Sequence, residues 1–131
     1  DLYTPDASLK LPGCINHGPV DYYDMAPYVF KQAKINLNIT LRSIKSGIPL
    51  RAFDILGAGG FLLTNYQSDF SDCYVADQDY VCFGSKEDLL QKLSYYLTHE
   101  EERKAIAQNG LHTTATQHTY EHRIQEILSY F

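Results

Sequence analysis

The sequence has few cysteines and no closely spaced pair of them. Its three cysteines are Cys14, Cys73 and Cys82, and no Cys-x-x-Cys motif occurs. Disulfide-stapled domains and zinc knuckles both need cysteines in pairs, usually at short spacing. The sequence therefore argues against both classes. It predicts three reduced, mostly buried thiols in a cytoplasmic protein.

Positive charge and long apolar runs are also scarce. Lys and Arg number 11 against 16 Asp and Glu, which gives a formal net charge of -5. Nucleic-acid binders carry a basic excess that meets the phosphates, so this class is disfavoured, although a local basic cluster can still hold a small anion. No apolar run approaches the roughly 20 residues that a membrane span needs, and we recognise no signal peptide. We therefore expect no nucleic-acid partner, no membrane span and a cytoplasmic location.

The length of the chain fits one domain. A hydrophobic share of 44% over 131 residues is enough to build a core without disulfides. The chain begins at Asp1, in sequence typical of the middle of a domain. We therefore expect residues 1–131 to be a single domain and a piece of a longer protein.

Short apolar strands alternate with helical segments along the chain. Strands are predicted at 13–16, 35–39, 61–64 and 80–83. Helices are predicted from Asp21 or Asp24 to about Ala33, from Pro49 to the glycines at 57–60, after Ser85, over 99–109 with Asn109-Gly110 as C-cap, and over 119–130. Strands separated by helices indicate an α/β domain with a small, mostly parallel sheet and a helical C-terminal third.

The start of the helix at Pro49 carries the residues of most chemical interest, with Ser46 or Gly47 expected near its cap. A helix start presents unpaired N–H groups and a partial positive charge, so it attracts anions. Arg51 lies in the first turn, where a cation is unfavourable unless an anion is close, and Asp54 shares its face. A phosphate contact by Arg51 and a ribose contact by Asp54 would suit a nucleotide. On spacing alone, a plain i,i+3 salt bridge fits better.

Three further residues lie where open α/β sheets bind ligands, beyond the carboxyl ends of strands. His17 ends the first predicted strand, Asn38 shares a polar strand face with Asn36, and Tyr22 follows the turn at His17. Asn38 either reads the polar edge of a ligand or ties down a loop. Tyr22 either lies beside a base or sugar or packs against the turn. The sequence leaves these alternatives open.

Two motif-like patterns are better explained as architecture. The glycines at 57–60 follow a helix and precede a strand, which reverses the dinucleotide-binding order, so they predict a helix end. His118 and His122 are spaced i,i+4 on a predicted helix, but no third ligand is evident, so we expect a surface pair and no metal site. No Ser–His–Asp or Cys–His arrangement is apparent, so no catalytic residue is assigned.

Several segments together resemble the C-terminal domain of GT-B glycosyltransferases, closest to the group-1-like branch that includes spore-maturation-type proteins. The matching segments are 34–40, 49–64, 85–90, 95–97, 101–110 and 118–123. The resemblance implies a Rossmann-like, three-layer domain, one half of a GT-B fold, that holds a nucleotide-sugar donor. It also implies an N-terminal acceptor-binding domain of the same protein, which lies outside these residues.

The resemblance assigns roles to particular residues. Family members often place two glutamates eight positions apart, and the second usually contacts the donor ribose. Asp54 stands at this second position, whereas Ser46 stands at the first, where the chain departs from the family. Ile48, Pro49 and Leu50 match the backbone that approaches the phosphates. Because Pro49 has no N–H to donate, Ile48 and Leu50 are the expected donors.

We therefore predict the donor-binding domain of a glycosyltransferase, which transfers a sugar from a nucleotide-sugar to an unknown acceptor without a metal or other cofactor. We expect the isolated chain to be inactive. The alternative is a non-catalytic α/β regulatory or scaffolding module that has lost the donor site, as Ser46 and Asp54 in place of the family's two glutamates would allow. A receiver-like signalling domain is disfavoured, because its acidic pair and later lysine are not found.

Overall fold

The chain folds around a small parallel sheet flanked by helices. The computed structural model describes residues 1–41, 43–44 and 46–131. In these residues three parallel strands pair in the order β1-β2-β3, over Asn36–Asn38, Leu62–Asn65 and Val81–Phe83. The helices are α1 (Ala26–Gln32), α2 (Leu50–Gly57), α3 (Lys86–Thr98), α4 (Glu100–Gln117) and α5 (Tyr120–Leu128), with a 3-10 turn at Ser68–Asp72. Parallel strands need a crossover connection, and α2 provides it between β1 and β2.

Apolar residues cover both faces of the sheet. Successive side chains of a strand point to opposite faces, so neighbouring apolar residues of one strand pack on different sides. Leu62 packs with α2 in one group, the α2 cluster, and Leu63 packs with α3 and α4 in the other, the α4 cluster. The α2 cluster is Ala52, Ile55, Leu56, Leu62, Phe70, Tyr74 and Tyr80, and the α4 cluster is Phe61, Leu63, Val81, Phe83, Tyr96, Ile106 and Ala107. This arrangement confirms the predicted α/β, Rossmann-like fold, and α3 to α5 confirm its helical C-terminal third.

The two predicted glycine helix ends have different outcomes. The run at 57–60 ends α2 as predicted, since Gly59 has a φ of 77° and its N–H donates to the Leu56 carbonyl at 2.9 Å. Gly110, however, lies inside α4, so the predicted end there is wrong. A Cβ at Gly110 would stand 2.5 Å from the Asp79 carbonyl oxygen and 2.7 Å from Leu56 Cδ2. Gly110 therefore allows α4 to pack closely and does not cap it.

The N-terminal segment differs from its prediction. In this described part of the chain, the first predicted strand is replaced by an isolated bridge between Leu2 and Asn16. The N-cap of α1 is Met25, which makes no side-chain capping bond. Asp21 instead accepts a hydrogen bond from the Asp24 N–H at 2.7 Å ahead of the helix. The prediction that Asp21 or Asp24 caps α1 is therefore wrong.

Two predictions from composition can be compared with the structure. Cys14 is exposed and Cys73 and Cys82 are half-buried, so the prediction of mostly buried thiols is wrong. Burial raises the pKa of the Cys73 and Cys82 thiols. Among the helices of the described residues, none is long and apolar enough to cross a membrane.

Candidate functional site

A cleft opens where β1 ends and α2 begins. Its volume of about 380 Å³ is within the range of small-molecule sites. The lining residues are Tyr22, Asn38, Ile39, Thr40, Leu41, Ile44, Pro49 and Arg51. The cleft lies beyond the carboxyl end of a parallel strand, where open α/β sheets bind ligands. Three residues singled out in the sequence, Tyr22, Asn38 and Arg51, thus come together at one place.

Asparagine side chains join the strand ends at the base of the cleft. Asn38 is 3% exposed, and its Nδ2 donates to Thr64 Oγ1 of β2 at 3.1 Å. Asn65, the last residue of β2, accepts from the Thr40 N–H at 2.7 Å and donates to the Thr40 carbonyl at 3.2 Å. Asn38 therefore ties β1 to β2, and because it also lines the cleft, its contact with a ligand stays a prediction. Asn65 was not predicted from the sequence, although a carboxamide at the end of a buried strand was there to indicate it.

The first turn of α2 carries a cation and no acid. Its N-cap is Pro49, in extended conformation, and among the described residues no side chain accepts a hydrogen bond from the turn. Ser46 and Gly47 precede this N-cap by three and two residues, so they lie near it as predicted, but neither caps the helix. Arg51 is exposed and lines the cleft. The unpaired N–H groups of the turn and Arg51 together make one wall of the cleft positive.

The other residues predicted around this turn do not line the cleft. Ile48 is half-buried and packs against the α2 cluster, and the Leu50 side chain is 69% exposed. Ser46 is exposed and stands apart from the lining. The prediction for Ile48 and Leu50 concerns their backbone N–H groups, so it stays a prediction.

Asp54 is paired with Tyr22 and not with Arg51. The Tyr22 hydroxyl donates a hydrogen bond to Asp54 Oδ2. None of the ion pairs formed by the described residues joins Arg51 to Asp54. The hydrogen bond to Asp54, with burial, raises the pKa of Tyr22 to about 12. The plain salt bridge considered from spacing therefore does not form here, and Asp54 stays outside the cleft lining.

An aspartate of the 3-10 turn fixes the backbone that leads into α2. Asp69 Oδ2 accepts from the Gly47 N–H at 2.6 Å, across a separation of 22 residues. This hydrogen bond, and a smaller contribution from Ser68, lowers the pKa of the Asp69 carboxyl. Asp69 could not be predicted from the sequence, because no local pattern connects residues so far apart. The contact holds the loop without using the N–H groups of the helix.

The histidines singled out in the sequence lie away from the cleft. His17 Nε2 contacts Asp1 Oδ1 at 2.7 Å, and its ring stacks on Tyr3, so His17 is not part of the lining. His118 is the C-cap of α4 and His122 lies in α5, so the prediction that they share one helix is wrong. Over the described ranges, no three His, Cys, Asp or Glu side chains group in a way that could hold a metal ion.

Comparison with protein families defines the class of this chain. The model of a family described as glycosyl transferase-like matches residues 5–129. Because the match covers almost the whole sequence, the chain belongs to the glycosyl transferase-like family. No curated protein sequence matches the chain. The parallel sheet and its cleft therefore belong to a glycosyltransferase-type domain.

Proposed function

We propose that this chain is the donor-binding domain of a GT-B glycosyltransferase of the group-1-like branch. Arg51 carries the proposal, because this exposed cation in the uncapped first turn of α2 lines a cleft of about 380 Å³ at the end of β1. A cation at a helix start is unfavourable alone and becomes favourable when an anion binds beside it. In a glycosyl transferase-like family, the diphosphate of a nucleotide-sugar is the anion that fits this place.

The proposed chemistry is positioning and charge stabilisation. Negative charge develops on the diphosphate as the sugar leaves, and preorganised donors stabilise it. Arg51 would donate paired hydrogen bonds to the phosphate oxygens, and N–H groups of the first turn would donate others. Ile39, Leu41 and Ile44 offer apolar surface for the base or sugar. The proposal needs no metal ion or other cofactor, because the chain itself supplies the positive charge.

The proposal gives this chain half of an active site. Acceptor binding and a catalytic base would belong to an N-terminal domain of the same protein. We therefore expect the chain alone to bind the donor without transferring its sugar. A net charge of -5 supports the proposal of a small-molecule ligand over a nucleic-acid partner, and the proposed location is the cytoplasm.

A non-catalytic module that has lost its donor site is the second candidate. The observation that favours it is the pairing of Asp54 with Tyr22, which occupies the expected ribose acceptor. Ser46 at the first acidic position of the family pattern supports the same candidate. The two candidates differ in one measurable property, which is nucleotide binding at the cleft.

Calorimetric titration separates these candidates. UDP, GDP, ADP, CMP and their sugars are titrated into the wild-type chain and Arg51→Ala. We expect saturable binding of at least one ligand, and an affinity at least about tenfold lower in Arg51→Ala, because hydrogen bonds to charged groups contribute about 1.5–3 kcal/mol. Lys86→Ala is the matched control, since it removes an exposed cation from the first turn of α3. Absence of binding by the folded wild-type chain would overturn the proposal.

A further inference from the structure

The contact between Tyr22 and Asp54 joins two parts of the chain at the rim of the cleft. Tyr22 lies ahead of α1 and Asp54 in the second turn of α2, 32 residues further on. The Tyr22 side chain lines the cleft and is 47% exposed, whereas Asp54 is half-buried and stays outside the lining. A ligand in the cleft therefore meets Tyr22 in front of Asp54.

The hydrogen bond to Asp54 decides what the phenol can offer a ligand. A tyrosine hydroxyl has one hydrogen to donate and lone pairs that accept. Tyr22 donates its hydrogen to Asp54 Oδ2. The same bond raises the pKa of Tyr22 to about 12, so the hydroxyl keeps its hydrogen at neutral pH. Toward a ligand, the phenol oxygen can therefore only accept a hydrogen bond, so it fits a ligand group that donates.

Arg51 is a cation on the same cleft as the phenol, since both residues line it. Its positive charge opposes the rise in the Tyr22 pKa that the Asp54 hydrogen bond causes. A ligand that places phosphate on Arg51 would therefore bring the group next to that phosphate toward Tyr22. In a nucleotide that neighbouring group is the ribose, whose hydroxyls are hydrogen-bond donors.

We propose that Tyr22 contacts the ribose of the bound nucleotide and accepts a hydrogen bond from a ribose hydroxyl, while Asp54 is a positioning residue that holds the phenol from behind. This inference rests on the proposed function. It moves the ribose contact from Asp54, where the family resemblance expects it, to a residue of a different segment. On this inference the hydrogen bond between Asp54 and Tyr22 supports ligand binding. Under the second candidate function, the same hydrogen bond indicates that the donor site is lost.

The test removes one partner of the proposed hydrogen bond at a time: the Tyr22 hydroxyl on the protein, or the ribose hydroxyls on the ligand. UDP, GDP and ADP and their 2′,3′-dideoxy counterparts are titrated into the wild-type chain and Tyr22→Phe. We expect Tyr22→Phe to lower the affinity for the ribonucleotide about two- to tenfold, as loss of one hydrogen bond would. The affinity for the dideoxy nucleotide should be the same in both proteins. Tyr23→Phe is the matched control, because the neighbouring Tyr23 is 89% exposed and outside the cleft lining.

The role of Asp54 has its own measurements. Asp54→Ala should weaken ribonucleotide binding, and the double variant with Tyr22→Phe should bind no more weakly than Asp54→Ala alone, because both changes remove one contact. The pKa of Tyr22 should move from about 12 toward the ordinary value of 10 in Asp54→Ala. It is measured from the absorbance difference between proteins with and without this tyrosine. Asp54→Asn should retain most of the affinity, since its amide oxygen still accepts from the phenol.

The outcomes distinguish this inference from the proposed function. Wild-type binding that Arg51→Ala weakens, with Tyr22→Phe equal to wild type toward every ribonucleotide, would overturn the inference and leave the donor site standing. Additive losses in Tyr22→Phe and Asp54→Ala would also overturn it, since Asp54 would then contact the ligand directly. Failure of the folded wild-type chain to bind any nucleotide would overturn both.

Discussion

Two helices begin at the same edge of the sheet, and their first turns are built in different ways. α3 follows β3, and its N-cap Ser85 accepts from the Asp88 N–H at 3.1 Å. Glu87 and Asp88 also place acids in that first turn. α2 follows β1, and its first turn has no side-chain cap, no acid and the cation Arg51. The chain itself caps the Asp88 N–H at the start of α3, whereas no described side chain accepts from the first turn of α2.

In the loop before each helix, a glycine N–H donates to an aspartate carboxylate, but the two aspartates lie in different parts of the chain. Before α3, the Gly84 N–H donates to Asp88 Oδ2 at 2.9 Å, so the helix supplies its own anchor. Before α2, the Gly47 N–H donates to Asp69 Oδ2 at 2.6 Å, and Asp69 belongs to the distant 3-10 turn. The loop before α2 is therefore held in place from outside the helix, so its start is fixed and still open to an anion.

Of the changes that test this difference between the two helix starts, charge reversal at the start of α2 should have the largest effect, a loss of nucleotide affinity. In Arg51→Glu an acid replaces the cation, so phosphate would be repelled at the helix start. We expect the affinity of the best-binding nucleotide to fall by about 100-fold or more, which corresponds to about 2.7 kcal/mol. The free energy of unfolding should not fall, because an acid near a helix N-terminus is favourable. Calorimetry and urea unfolding measure the two quantities.

Lys86→Glu makes the same change in the first turn of α3 and serves as control. It should leave nucleotide affinity unchanged, because Lys86 lies outside the cleft lining and Ser85 already caps the Asp88 N–H of α3. Similar losses of affinity in Lys86→Glu and Arg51→Glu would contradict the comparison. They would indicate that the net charge of the chain, and not the start of α2, controls nucleotide binding.

Removing the cap of α3 should have the second largest effect. Ser85→Ala deletes the acceptor of the Asp88 N–H, and loss of a serine N-cap costs about 1 kcal/mol. Ser46→Ala is the matched change before α2, where the serine is exposed and caps nothing. We expect urea unfolding to show about 1 kcal/mol lower stability in Ser85→Ala and no measurable change in Ser46→Ala. Equal destabilisation by the two changes would contradict the structural difference between the helix starts.

The same comparison shows what local sequence can predict. The start of α3 and the glycine end of α2 were predictable, because a serine with acids behind it and a glycine run act through neighbouring residues. The strands β2 and β3 were predictable from short apolar runs, and β1 from its alternation of apolar and polar residues. Gly110 was not, because its reason is the Asp79 carbonyl against which α4 packs. A glycine near the end of a helical pattern has the same local signature whether it caps the helix or packs inside it.

The candidate site was predictable only in part. Arg51 could be found from its position at a helix start, and the cleft does include it. The three contacts that shape the site connect residues 22 to 32 positions apart. They are Tyr22 with Asp54, Thr40 with Asn65, and Gly47 with Asp69. Such contacts depend on how strands and turns assemble, so no spacing rule in the sequence indicates them.

The smallest expected effect is the pH dependence of the stability that Asp69 and Asp88 contribute. These are the two aspartates that hold the loops before α2 and α3. The pKa of Asp69 is lowered from 3.8, chiefly by the Gly47 N–H, and the pKa of Asp88 is lowered chiefly by the Gly84 N–H and then by Lys92. A carboxyl with a lowered pKa in the folded state adds stability in full above the unfolded value. That stability is lost as pH falls through the folded pKa.

Asparagine is the neutral counterpart of the protonated acid, so Asp69→Asn and Asp88→Asn imitate this titration at pH 7. Both variants should unfold at slightly lower urea concentration than wild type at pH 7, and the difference should shrink near pH 3. Only Asp69→Asn should also weaken nucleotide binding, by about twofold, because only Asp69 holds the loop that leads into α2. An equal loss of affinity in Asp88→Asn would place the effect in overall stability, and the start of α2 would then need no separate anchor.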